Sequence, residues 1–201
     1  IWGGEILLAD YDSFTRWGCI EPFAQTGGDA SAKEGWRIAV SLLGKIYGKE
    51  NALLIIETLG LCEPKLAKLQ FTMEERGINT VQSTSAGRLF DAVSAILDIR
   101  KSSTFEGEAS TSLQFAAEKW LDAQKKKIAG SEDFAESGII TDYGELKSIS
   151  DVAQKSVVEK NNSINRNIKA DLYYLPTLSL VKEVAERKLA GENSNQLALH
   201  F

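Results

Sequence analysis

Four short segments of the 201-residue chain hold residue types that could do chemistry: Trp2-Gly3-Gly4-Glu5, Thr26-Gly27-Gly28-Asp29, Ser85 to Ala92 and Phe105 to Ala109. Glycine lets a backbone approach a phosphate or ribose closely, and the amides exposed there can donate to anionic oxygens. A helix start behind such a loop adds a partial positive field. Gly3-Gly4 opens a strand-like run and Gly27-Gly28 precedes a helical one, so either pair could cradle an anion or simply turn the chain. Asp91 is more specific. It lies close to the apolar stripe of Leu89, Phe90 and Val93, where a carboxylate must be solvated in a cleft, paired, or bonded to a ligand. Arg88, three residues earlier, offers the local ion pair. A ribose diol offers the alternative, because both hydroxyls can donate to one carboxylate.

Other chemistries find little support. The single histidine, His200, rules out a multi-histidine metal site within the chain. Cys19 and Cys62 form no CxxC and have no histidine partner, so they read as thiols in a reducing compartment. No serine stands near a histidine, and no catalytic residue is expected in this chain. The net charge of -5 argues against a duplex nucleic-acid footprint, which needs a basic face. The one dense basic run, Lys125-Lys126-Lys127, reads as a solvated helix end. No apolar run reaches membrane-spanning length and no signal peptide is visible, so a cytoplasmic location is expected. The chain begins at Ile1 rather than Met, as a piece of a longer protein would.

Periodicity predicts the elements that position these segments. Glu5 to Ala9 reads as a strand, Trp17 to Phe23 as its antiparallel neighbour, and Asp10 to Ser13 as the turn between them. Ser31 and Glu34 have capping-box spacing before a helix carrying Trp36, Ala39, Val40, Leu43, Ile46 and Tyr47, stopped by Gly48. A second helix covers Ala52 to Leu59. A third follows Pro64, with Leu66, Leu69 and Met73 on one apolar face, ending at Gly77. Ser83-Thr84-Ser85 should cap a helix whose most buried positions include Leu89, Phe90, Val93 and Ile96. A long helix runs from about Glu108 to Lys127. Ala129 to Lys160 reads as a loop with one or two short strands. A helix enters at Pro176 and stops at Gly191, and a last one is capped at Asn193-Ser194. The fold class is α+β, mostly helical.

In order and spacing, IWGGEILLADYDSF, GGDASAKEGWR, ERGINTVQSTSAGRLFDAV and TFEGEAS resemble the HypF family of hydrogenase maturation carbamoyltransferases. The likeness covers residues 1 to about 121, and more weakly the helix after Pro176. Thr26 and Gly35 stand where that family has proline, and Phe105 where it has tyrosine. The resemblance implies an internal fragment of a carbamoyl-transfer domain of the actin/sugar-kinase-like (ASKHA) ATPase fold, similar to the universal tRNA threonylcarbamoyl-transfer proteins. It divides as a β element (1–28), inserted helices (29–80), nucleotide-cleft helices (81–128), a variable insertion (129–175) and truncated C-terminal helices (176–201).

The resemblance also implies roles. Gly3 and Gly4 would lie near the phosphate, Asp91 would bind the nucleotide sugar, and Gly107 with Glu108 would pass the nucleoside. Gly28, Asp29, Gly87 and Arg88 are further cleft candidates. The ligand would be ATP or carbamoyl adenylate. The carbamoyl group would pass to the C-terminal cysteine of HypE, for the cyanide ligand of [NiFe] hydrogenase. Iron or zinc would be held by residues outside this chain, and none within it. The chain alone is then expected not to transfer carbamoyl. Expected partners are HypE and other domains of the same polypeptide, with no nucleic acid and no membrane. Two other readings remain open: a helical docking module for HypE or a neighbouring domain, and an O-carbamoyltransferase of the same fold.

Overall fold

The structure is a computed structural model and describes residues 1–129 and 172–201. The chain divides into one compact unit of Ile1–Gln124 with Leu172–Phe201 and a second of Lys125–Asp171. The loop and strands expected over Ala129 to Lys160 lie outside the described residues, except that Ala129 ends a helix.

The first unit begins with a hairpin of β1 (Glu5–Ala9) and β2 (Phe14–Ile20), antiparallel as the apolar run and turn chemistry predict. The Asp10 carboxylate makes the turn by accepting from Asp12 N, Ser13 N and the Ser13 hydroxyl. A register irregularity falls between Ile6 and Leu7. Two pairings escaped periodicity because their strands are too short to show one: β3 (Phe23–Thr26) pairs antiparallel with β4 (Thr80–Ser83), and β5 (Tyr173–Leu175) pairs parallel with β2. Gly18 permits the latter, since a Cβ there would stand 2.9 Å from Tyr173 O.

The helices are α1 (Ala30–Lys33), α2 (Gly35–Tyr47), α3 (Lys49–Thr58), α4 (Pro64–Glu75), α5 (Ala86–Ile96), α6 (Glu108–Ala129), α7 (Thr177–Leu189) and α8 (Ser194–His200). The core centres on α2, which packs against α5, α3, α4, α7 and β3. Ile38, Val40, Leu42 and Leu43 of α2, Val93 and Ile96 of α5, and Val181 and Val184 of α7 are all buried in it. Gly44 lets the Phe71 ring of α4 lie directly on α2, because a Cβ there would meet Phe71 Cε1 at 2.6 Å. Gly48, at φ 78°, separates α2 from α3, as its position predicts. Pro64 opens α4, and Asn193 caps α8 through Asn195 N and Gln196 N.

Three expectations are corrected. The Ser31–Glu34 capping box does not form. The Ser31 hydroxyl donates to Gly28 O at 2.5 Å, Glu34 leaves helical geometry at ψ 83°, and its carboxylate pairs with Arg37 instead. One expected helix is therefore two. In α4 the buried face is rotated: Ala67, Gln70 and Phe71 are inside, while Leu66 and Leu69 are exposed. Gln70 is drawn in by a hydrogen bond to Arg37 O at 2.6 Å, a polar preference that apolar periodicity does not register. In α5, Phe90 is 41% exposed, because helical spacing turns it away from the Leu89–Val93–Ile96 stripe.

Candidate functional site

Around the start of α5 the structure brings together the first and third of the chemistry-bearing segments. Ser85 caps the helix by accepting from Arg88 N. The Gly3-Gly4 backbone lies against the preceding turn, with Ala86 N donating to Gly3 O at 3.3 Å. A Cβ on Gly3 would stand 3.1 Å from Ser85 Cα, and one on Gly4 would stand 2.6 Å from Thr84 O. Close approach explains the glycines here better than a tight turn does. Gly87 lies in the first turn of the same helix.

The Gly3 and Gly4 amides converge on the Glu5 carboxylate, donating to Oε2 at 2.5 and 2.9 Å. Its Oε1 accepts from Arg16 Nη2 at 2.9 Å and from the Thr84 hydroxyl. Burial pushes the Glu5 carboxyl up, but the bonds from Thr84, Arg16, Gly3 and Gly4 outweigh it and hold the group below its ordinary value. Trp2 lies under the Arg16 guanidinium, 4.3 Å from its carbon. A cavity of about 180 Å³ opens beside this cluster, lined by Trp2, Arg16, Cys19, Thr84 and Tyr174 among others.

One turn along α5, Asp91 is buried and its Oδ2 stands 3.0 Å from Arg88 Nη1. The ion pair expected as the bland alternative exists, although it is largely withdrawn from solvent. The same Arg88 nitrogen donates to Ala32 O, which ties α5 to α1. Gly35, at the start of α2, rests on the Asp91 backbone, where a Cβ would be 2.7 Å from Asp91 O. Burial raises the Asp91 carboxyl above its ordinary value, and Arg88 opposes that rise.

The other candidates are placed separately. Gly28 and Asp29 are exposed just before α1, the helix that Arg88 of α5 reaches at Ala32 O. Gly107 takes a positive φ of 78°, and Glu108 begins α6. The Glu108 carboxylate accepts from Thr104 N at 2.6 Å and from the Thr104 hydroxyl, and it pairs with Arg100 at 3.2 Å. The Thr104 amide leads in holding it below its ordinary value. A second cavity, of about 330 Å³, lies between α5, α6 and α8, lined by Phe90 of the third segment and by Ser110, which follows the fourth. Phe90 meets Phe201 there edge-to-face at 5.6 Å. Among the described residues, no group of three or more His, Cys, Asp or Glu is placed to hold a metal, and no helix is long and apolar enough to cross a membrane.

The sequence reading did not single out Glu5, Arg16, Thr84 or Gly35 as site residues. Glu5 directly follows the glycine pair and Thr84 sits in the cap triplet, so both were within reach. Arg16 and Gly35 gain their places only through tertiary packing.

Comparisons with known proteins agree on one group. A family model described as "Carbamoyltransferase, Kae1-like Domain, second subdomain" matches residues 1–187. The chain is 38% identical over 120 residues to the probable carbamoyltransferase HypF of Methanocaldococcus jannaschii, and 37% identical over 125 residues to the carbamoyltransferase HypF of Rhodobacter capsulatus. Those alignments take in 60% and 58% of the chain but only 16% and 15% of the relatives, so the chain spans roughly a sixth of their length. A crystal structure of full-length HypF in the phosphate- and nucleotide-bound form superposes with a TM-score of 0.66 over the whole chain and 21% of that protein, at 22% identity. HypF of T.kodakarensis superposes with a TM-score of 0.60 at 20% identity, over 98% of the chain and 21% of that protein.

Proposed function

The chain belongs to the HypF carbamoyltransferase family, and on that premise we propose that it supplies one wall of a nucleotide cleft used in carbamoyl transfer. The ligand would be ATP or carbamoyl adenylate. In the full-length protein the carbamoyl group would pass to the C-terminal cysteine of HypE, for cyanide-ligand synthesis in [NiFe] hydrogenase maturation. HypE and the other domains of the same polypeptide are the proposed partners. The iron or zinc implied by the resemblance would be bound outside this chain.

The observation that carries this reading is Asp91. It is a buried carboxylate whose charged neighbour Arg88 is shared with a backbone carbonyl, and it is fixed against α2 at Gly35. Withdrawal from water leaves such a group with acceptor capacity that a sugar diol can use. The glycine pair at the α5 start would serve the phosphate end, because its two successive amides both donate to one carboxylate, Glu5, as they could to a phosphoryl oxygen. This chain would orient the nucleotide. The acid–base and electrophilic groups of the transfer would come from other parts of the full-length protein.

The test is calorimetric titration of ATP into the full-length protein and its Asp91→Asn variant. Losing one or two charge-assisted bonds, at about 1.5–3 kcal/mol each, should weaken binding about tenfold or more. Equal affinities would remove Asp91 from the site.

A further inference from the structure

The second cavity, the buried cluster in which the Gln70 amide and the Ser41 hydroxyl donate to the Glu74 carboxylate, and the exposed apolar residues of the β1–β2 hairpin carry less than the cluster around Glu5. We propose that Arg16 and Thr84 complete, with the Gly3 and Gly4 amides, an oxyanion site for a phosphoryl group, and that the chain's own Glu5 carboxylate occupies it when no ligand is bound. This deepens the nucleotide reading and rests on it for the identity of the ligand. Arg16 lies outside the motifs that carry the family resemblance, and Thr84 lies inside one of them without a role implied by it.

The geometry is that of an anion receptor. Four donors from three parts of the chain meet one carboxylate: the amides of Gly3 and Gly4, Arg16 Nη2 from β2, and the hydroxyl of Thr84 from the turn before α5. Backbone amides in succession, a guanidinium and a hydroxyl are the donor set that phosphoryl oxygens take. The α5 N-terminus begins two residues after Thr84 and adds its field.

Two observations indicate that Glu5 does not exhaust the receptor. Arg16 Nε is buried and has no hydrogen-bond partner among the described residues, so one edge of the guanidinium is unused. Trp2 fixes that guanidinium from its face, which leaves the edges as its donors. The 180 Å³ cavity opens on Arg16 and Thr84, giving a phosphoryl group a place to approach them. The cradle itself must stay glycine, since a Cβ at Gly4 would strike Thr84 O. Glu5 is covalently tethered and planar, with two acceptor oxygens. A phosphoryl group brings three oxygens and more charge, and it can take the donors over once the Glu5 side chain swings out.

A structural carboxylate that merely staples β1 to the α5 turn would look similar, and the two are separated by replacing Glu5. Inorganic pyrophosphate, ATP and adenosine are titrated into the full-length protein and into Glu5→Gln, Arg16→Gln, Arg16→Lys and Thr84→Val variants, each checked for its unfolding temperature. Glu5→Gln should bind pyrophosphate and ATP at least threefold more tightly, because a neutral amide competes less well for the donors. Arg16→Gln should lose tenfold or more in the same titrations, with Arg16→Lys in between and Thr84→Val weakened. Adenosine, which lacks phosphate, should bind all of them alike. Pyrophosphate affinity that ignores Arg16, or that falls in Glu5→Gln, overturns the proposal. So does the absence of pyrophosphate binding in both wild type and Glu5→Gln. Arg16-dependent pyrophosphate binding without any binding of adenosine or ATP would sustain the oxyanion site while sinking the nucleotide reading.

Discussion

Glu5 and Asp91 are both carboxylates withdrawn from water, yet the two regions that hold them treat them in opposite ways. Around Asp91 the helices α2 and α5 press together so closely that a Cβ at Gly35 would stand 2.7 Å from Asp91 O, and the charged partner Arg88 is on the same helix. Desolvation wins there, and the carboxyl is raised. Around Glu5 the sheet rim is thin, with Leu7, Leu8 and Phe14 exposed on the same hairpin, and polar donors fill what apolar packing does not. Hydrogen bonding wins there, and the carboxyl is lowered. Burial alone therefore does not set the charge state of a group. The ratio of donors to apolar neighbours does, and each region has chosen a different ratio.

The strongest way to break this contrast is to open the helical side. Ile96 is fully buried at the α5–α2 contact. Ile96→Ala should cost about 2–5 kcal/mol in urea unfolding through lost transfer energy and a residual cavity. A loss under about 1 kcal/mol would mean the core is as loose as the rim. Next is Gly35→Ala. Its added methyl meets the Asp91 backbone, which cannot yield as a flexible side chain would, so a loss of about 1–3 kcal/mol is expected in the same measurement. An unchanged midpoint would show that the α2–α5 contact has slack.

Phe90→Ala sharpens the comparison within one helix. With 41% of the residue exposed and one edge-to-face partner, its loss should cost about 1 kcal/mol, well below that of Ile96. Equal costs would place Phe90 in the core. The smallest effect separates the two carboxylates by sign. Glu5 has a lowered folded value, so its contribution is present above its ordinary 4.5 and is lost as pH falls through the folded value. Asp91 has a raised folded value, so its contribution is present below its ordinary 3.8 and is lost as pH rises through the folded value. In thermal unfolding across that acid range, Glu5→Gln should soften the decline of stability on acidification. Asp91→Asn should steepen it. Parallel curves for the two variants would erase the distinction.

What the sequence reveals depends on how local the cause is. The α2 and α5 helices were legible because their apolar stripes repeat over several turns, and Gly48, Pro64 and Asn193 mark boundaries through their own backbone or capping chemistry. The β3–β4 and β2–β5 pairings were not, since three or four residues cannot display a period and the partners are distant in sequence. The face of α4 was misjudged for a related reason: a buried glutamine, held by the α2 backbone, outranks two exposed leucines. At the site, glycines and Asp91 announce themselves by type and motif. Arg16 looks like any strand-edge arginine until the hairpin brings it to Glu5.

The stacking of Trp17 on Tyr173, with ring centroids 5.2 Å apart and planes 25° from parallel, joins the first hairpin to a strand from the far end of the chain. Contacts between such distant segments close large loops, and they form late when local helices and hairpins assemble quickly. The indole of Trp17 is thereby a built-in optical clock. Its emission, separated from that of Trp2, Trp36 and Trp120 by comparison with a Trp17→Phe variant, should change after the far-ultraviolet helical signal has risen during refolding, timing the moment at which β2 meets β5.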